Sequence, residues 1–226
     1  MQFLATSATA TATAVASSLV YAQPAHIQAQ HVNAPQAGTE VTQMISRPKL
    51  PVEIVINLKY LFDHDLLIRD DFYSEATVKK MFNAEEVTVL HGNDDAGRRV
   101  SVTSNTFDSI FPRRKASATF GGSVAGASLS ARKTTLNSGS TTAFLHFIIG
   151  TGGPDFQFAR TTFGDKFVLV PPRPRPFNAG PLPVTSIHGN ETWKLNLNTN
   201  DLERAITLGF DEASQLSNIL IEIKQN

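Results

Sequence analysis

Three runs near the C-terminus alternate apolar with polar side chains: Thr192-Trp193-Lys194-Leu195-Asn196-Leu197, Ala205-Ile206-Thr207-Leu208-Gly209-Phe210 and Ile219-Leu220-Ile221-Glu222-Ile223-Lys224. A period of two puts one face in a core and the other in water, so the pattern predicts three strands. The short polar segment Asp211 to Gln215 joins the last two as antiparallel neighbours. Leu216, Ile219, Leu220 and Ile223 also fall at helical spacing behind Asp211. A helix there leaves Ile221 in water, whereas a strand buries Ile219, Ile221 and Ile223 together, and the strand is preferred. Trp193, Ile206, Leu208, Ile221 and Ile223 are then expected on the core side.

Upstream, Val52 to Leu58 is a β-branched run behind Pro51 and predicts a first strand. Ser74 is an N-cap candidate followed by Glu75, and Val78, Met81 and Phe82 make an i, i+3, i+4 stripe, so Ser74 to Asn83 is expected to be a short amphipathic helix. Glu86 to His91 and Arg98 to Thr103 flank the turn-prone Gly92 to Gly97 and predict a hairpin. The small-residue run Lys115 to Arg132 fits closely packed strands or a loop around Gly121-Gly122. Thr141 to Ile149 reads as a strand buried on both faces, and Phe156 to Arg160 and Phe167 to Val170 as two more, joined at Gly164-Asp165. Pro171 to Pro176 is neither strand nor helix and is expected to cross as polyproline II.

The pattern therefore predicts an α+β fold, mainly an antiparallel β-sheet with one short helix and a C-terminal three-stranded meander, in one domain over residues 52–226. A chain of 226 residues with 41% hydrophobic content is long enough to bury one such core.

Composition changes the picture most at the N-terminus. Residues 1–46 hold no Lys or Arg, and residues 4–22 are almost entirely Ala, Thr, Ser, Leu and Val, ending Val20-Tyr21-Ala22. Small residues at the positions a signal peptidase reads make residues 1–22 a signal-peptide-like segment and predict a periplasmic or secreted protein. Residues 23–51, rich in Gln, Ala, His and Pro, are expected to be a flexible linker. His26 and His31 within it are read as linker residues, not as a metal pair. Cysteine is absent, which excludes disulfides, cysteine-ligated metal sites and a cysteine nucleophile.

Formal net charge is zero, but its distribution is uneven. Residues 98–175 hold eleven Lys/Arg against three Asp/Glu, about +8, while residues 47–97 hold six against ten and residues 176–226 three against six. Arg98, Arg99, Arg113, Arg114, Lys115, Arg132 and Lys133 put seven positive charges into 36 residues opposed only by Asp108. If their strands are neighbours they form a basic patch for an anionic lipid, an envelope polymer or an acidic protein. The competing expectation is pairing with the acidic flanks. Nucleic acid is disfavoured, since the aromatic interleaving of a single-strand binder is sparse.

Catalytic chemistry has one weak candidate, Asp63-His64-Asp65, which would suit a divalent metal or an acid–base hydrolase if the side chains converged. On a strand His64 points away from both carboxylates, and a solvated acidic loop is the simpler reading. His91, His146 and His188 have no metal-ligand spacing, and His146 within an apolar run reads as a core histidine. No Ser lies in G-x-S-x-G, and the glycine clusters lack a P-loop Lys or dinucleotide spacing. Pro172 to Pro176 resembles an SH3 ligand, and Asn190-Glu191-Thr192 is a glycosylation acceptor only in a glycosylating host. No cofactor is expected. An exported, non-enzymatic binding or envelope-assembly protein is the resulting expectation, with the hydrolase as the alternative.

Overall fold

Helix α1 occupies Pro51–Asp63, where the β-branched run predicts a strand. Three local features decide for helix. Pro51 stands at the first helical position, where its missing N–H costs nothing. The Glu53 carboxylate reaches back to accept from the backbone N–H groups of Lys49 at 2.6 Å and Leu50 at 3.1 Å. Ile54, Val55, Leu58, Leu61 and Phe62 then fall on one helical face, and all are buried. The propensity cost of the β-branched residues, roughly 0.7 kcal/mol or less apiece, is small beside that burial.

The structure is a computed structural model that describes residues 43–111, 126–150, 152–171 and 187–226. The signal-like segment, His26, His31, Arg113, Arg114, Lys115 and Pro172 to Pro176 lie outside the described residues. Within the stretch expected to be linker, Ile45 is held from both sides by the fully buried Asn57 side chain, at 2.8 and 2.7 Å, and Asn57 also donates to the Met81 carbonyl at 2.6 Å. This one amide ties the incoming chain to α1 and the next helix.

Two 3-10 turns, Leu66–Ile68 and Asp70–Tyr73, lead to α2, Glu75–Phe82. As expected, Ser74 caps it, its hydroxyl accepting from the Thr77 N–H at 3.2 Å, and Asn83 ends it in the left-handed region. Strands β1 (Thr88–Asp94) and β2 (Gly97–Ser104) make the expected hairpin with a tighter turn, followed by β3 (Ser128–Leu136) and β4 (Thr141–Ile148). Phe156–Phe163 is a third helix, α3, where a strand is expected. Phe156 and Phe158 imitate a period of two, but Asp155 accepts from the Phe158 N–H at 2.7 Å, Ala159, Thr162 and Phe163 are buried together, and Gly164 closes the helix at φ 98°. The described residues thus hold three α-helices, not one.

The strands β5 (Val168–Leu169), β6 (Thr192–Asn198), β7 (Leu202–Phe210) and β8 (Leu216–Gln225) complete an eight-stranded sheet of order β1-β2-β3-β4-β8-β7-β6-β5. All its ladders are antiparallel, and the fold is α+β. The three C-terminal runs pair in sequence, β6 on β7 and β7 on β8, with Ile206 opposite Ile221 and Leu208 opposite Ile219.

One face of this sheet carries the core. Val100, Val102, Leu129, Ala131, Leu145, Phe147, Ile206, Leu208, Ile219, Ile221 and Ile223 are buried there, while Trp193 is half-buried. Phe147 meets the rings of Phe82, Phe107 and Phe111 at 5.9, 5.3 and 6.1 Å. Among the described residues, nothing covers the other face. Strand β4 is therefore covered on one side only, contrary to the expectation from its apolar run: Phe144 and His146 point outward half-buried, and Ile148 is exposed. Among the described residues, no helix is long and apolar enough to cross a membrane.

Candidate functional site

The Asp63-His64-Asp65 triplet lies at the C-terminal end of α1, and the chain reverses through it. Asp63 takes the Lys59 ammonium one helical turn back. His64 caps the helix, with its Nδ1 donating to the Tyr60 carbonyl at 2.9 Å and its ring stacked on Tyr60 at 4.1 Å. Asp65 adopts φ 52° and accepts from the Arg204 guanidinium of β7 at 3.3 Å. The three side chains go to three different partners. Among the described residues, no three His, Cys, Asp or Glu side chains are grouped to hold a metal ion. His91, His146 and His188 stand on separate segments with no contact between them.

The basic residues of β2 and β3 divide by strand parity. Val100 faces the core opposite Lys133, so Arg98 and Lys133 project toward the helices, while Arg99 and Arg132 project from the open face. Lys133 is buried, and its ammonium donates to the Ile68 carbonyl at 2.8 Å and to Asp70 at 2.6 Å. Arg98 reaches the other Asp70 oxygen at 2.8 Å. The Lys133 hydrogen bond first, and Arg98 with it, hold the Asp70 carboxyl below its ordinary range against the opposing effect of partial desolvation. Two of the four described basic residues thus pair with the acidic segment before α2.

On the open face, Arg99 pairs with Asp94 at 3.4 Å. Arg132 has no carboxylate partner among the described residues; its guanidinium lies 5.7 Å over the Phe144 ring. It borders a groove of about 540 Å³ over β3, β4, β8, β7 and β6, lined by Thr134, Thr142, Asn196 and Asn198. Lys194 and Lys224 also line it, paired with Glu222 at 3.7 Å and Glu203 at 3.2 Å. Among the described cations that line this groove, Arg132 alone has no carboxylate partner.

A cluster that the sequence reading does not single out lies on the core side, where α3 meets β6. The His188 ring stacks on Phe156 at 3.6 Å and 2°, and Phe156 meets Trp193 and Phe210 at 5.1 Å each. Glu191 accepts from Trp193 Nε1 at 2.9 Å and lies 3.2 Å from His188 Nδ1. Burial works to raise the Glu191 pKa, but these bonds and the His188 backbone outweigh it and lower the value. The only local signal is Glu191 two residues before Trp193, which on a strand shares its face. Phe156 comes from a segment expected to be a strand, and no periodicity connects it with residue 188.

No protein family matches this chain, and no curated protein or solved structure shows detectable similarity to it.

Proposed function

We propose that the protein is an exported, non-enzymatic binding protein whose open sheet face contacts an anionic partner, with Arg132 as the principal contact. The observation that carries this reading is Arg132, without a carboxylate partner among the described residues, beside a polar groove on a sheet face that none of the described helices covers. A guanidinium held over an aromatic ring is preorientated for phosphate or carboxylate, and surrounding Asn and Thr side chains add neutral donors. Export rests on the signal-like residues 1–22 and predicts a mature chain beginning at Gln23. An envelope location offers anionic head groups and polymers as partners. Each member of the Asp63-His64-Asp65 triplet has its own structural partner, so the hydrolase alternative gains no support from convergence.

The test is retention of the purified chain on an anionic matrix at low salt. Arg132→Gln with Arg99→Gln should release the protein at lower salt, since such attraction is screened over about 8–10 Å at ordinary ionic strength. Arg98→Gln, whose native charge is engaged by Asp70, should change retention little. Equal behaviour of the two variants removes the open face as the contact. Cell fractionation with N-terminal sequencing tests export separately, and an intact Met1 in the cytosol sinks that part.

A further inference from the structure

The aromatic cluster between α3 and β6 borders a cavity of about 280 Å³ lined by Phe156, Phe167, Trp193, Leu208 and Phe210, with Arg160, Asp165 and His188 at its rim. This lies just below the roughly 300–1,000 Å³ typical of small-molecule pockets, a size for one ring with short substituents. Phe156, Phe167 and Trp193 are only half-buried, so the cavity presents their apolar surface to whatever enters. Its walls are held in place. Glu191 ties the indole N–H and the imidazole at once, which leaves no polar hydrogen of Trp193 seeking a partner and fixes His188 flat against Phe156.

Arg160 and Asp165 supply the second observation. Both are exposed, both stand at the mouth of the same cavity, and neither enters an ion pair or a side-chain hydrogen bond among the described residues. They come from the end of α3 and the residue just past Gly164, so the turn that stops the helix sets one charge of each sign beside the rings. A neutral aromatic ligand would use neither charge, and a simple anion or cation would use one and leave the other facing it.

We propose that this cavity binds a small zwitterion bearing a single aromatic ring, of the aromatic α-amino acid type, with its carboxylate on Arg160, its ammonium on Asp165 and its ring against Phe156, Phe167 and Trp193. The site is on the core side of the sheet and is independent of the Arg132 groove on the open face.

Trp193 is the one tryptophan of the chain and forms a wall of the cavity, so its emission reports occupancy directly. The full chain is titrated with L-phenylalanine, with phenethylamine, which lacks the carboxylate, and with 3-phenylpropionate, which lacks the ammonium. The thermal midpoint is followed in parallel as a second readout. The expected result is a saturable change with L-phenylalanine, and binding of each truncated probe weaker by about tenfold or more, the worth of one charge-assisted contact. Arg160→Gln should abolish the preference over phenethylamine, and Asp165→Asn the preference over 3-phenylpropionate. Both positions are exposed, so the variants keep the fold, which near-ultraviolet circular dichroism checks. Failure of L-phenylalanine to alter either readout overturns the proposal, as does equal binding of all three probes by the wild-type chain.

Discussion

Lys133 is almost fully buried, yet the Asp70 side chain that accepts its ammonium at 2.6 Å is 61% exposed. The lysine stem runs through the core face of β3, and its charge emerges at the 3-10 turn before α2, where the Ile68 carbonyl and Asp70 receive it. The buried partner sets the energetics: neutralising the carboxylate leaves the Lys133 ammonium the Ile68 carbonyl and an uncharged amide oxygen in place of a counter-ion. Asp70→Asn should therefore cost on the order of 1 kcal/mol at neutral pH. Because the folded pKa of Asp70 lies below its unfolded value near 3.8, the charged pair contributes stability above that value and loses it as pH falls through the folded one. Urea denaturation between about pH 5 and pH 2 should show an acid-sensitive limb that is flatter in Asp70→Asn than in the wild type.

Ile206 and Ile221 face each other across β7 and β8, and both have no exposed surface. Truncating either to Ala should cost about 2–5 kcal/mol, and the double variant should cost less than the sum, because the two truncations open one shared cavity. Chemical denaturation of the two single variants and the double checks both statements. Losses under about half a kcal/mol at both positions would mean that the side chains point the other way.

The difference between what could and could not be read from the chain is physical. Strands β6, β7 and β8 were legible because one side of each faces water, and alternation survives only under that condition. Ser74 and its stripe were legible because the capping oxygen and the helix it caps are contiguous. Helix α1 escapes the pattern because Ile and Val at positions 54 to 56 look alike in a buried helix and a strand; the deciding feature is Pro51 followed by Glu53, a helix-start signal that also fits a strand boundary. Helix α3 escapes it because Phe158 is spaced like a strand residue, although it is only half-buried. As for the sites, basic residues could be counted but not apportioned, since parity assigns Arg98 and Lys133 to one face and Arg99 and Arg132 to the other only once the register is known. The aromatic cavity joins residues 156 and 193 through tertiary packing, for which no local pattern exists.

Glu191 holds Trp193 and His188 from a carboxyl whose folded pKa is lowered from 4.5. Its contribution is complete above that value and disappears as pH falls through the lower, folded one. Trp193 emission should accordingly show a step below pH 4.5 that is absent in Glu191→Gln, since only the native residue changes its hydrogen bonding there. A step of the same size in the variant would assign the change to another group.

Asp65 offers the sharpest separation of a structural role from a chemical one. Its φ of 52° lies in the left-handed region, where Asn and Asp are tolerated and Ala is strained by about 1–2 kcal/mol. Its carboxylate is also the acceptor for Arg204, a half-buried side chain stacked over Phe62 at 5.6 Å whose Nε has no hydrogen-bond partner among the described residues. Leaving that guanidinium unpaired costs a further ~1–3 kcal/mol. Asp65→Ala incurs both losses, Asp65→Asn keeps the turn and an amide oxygen for Arg204, and Asp65→Gly keeps the turn but loses the acceptor. Stability by urea denaturation should therefore fall in the order wild type, Asn, Gly, Ala, with Ala lowest because it alone adds backbone strain. A different order, with Asn as damaging as Ala, would place the importance of Asp65 in its negative charge and would reopen the acid–base reading of the triplet.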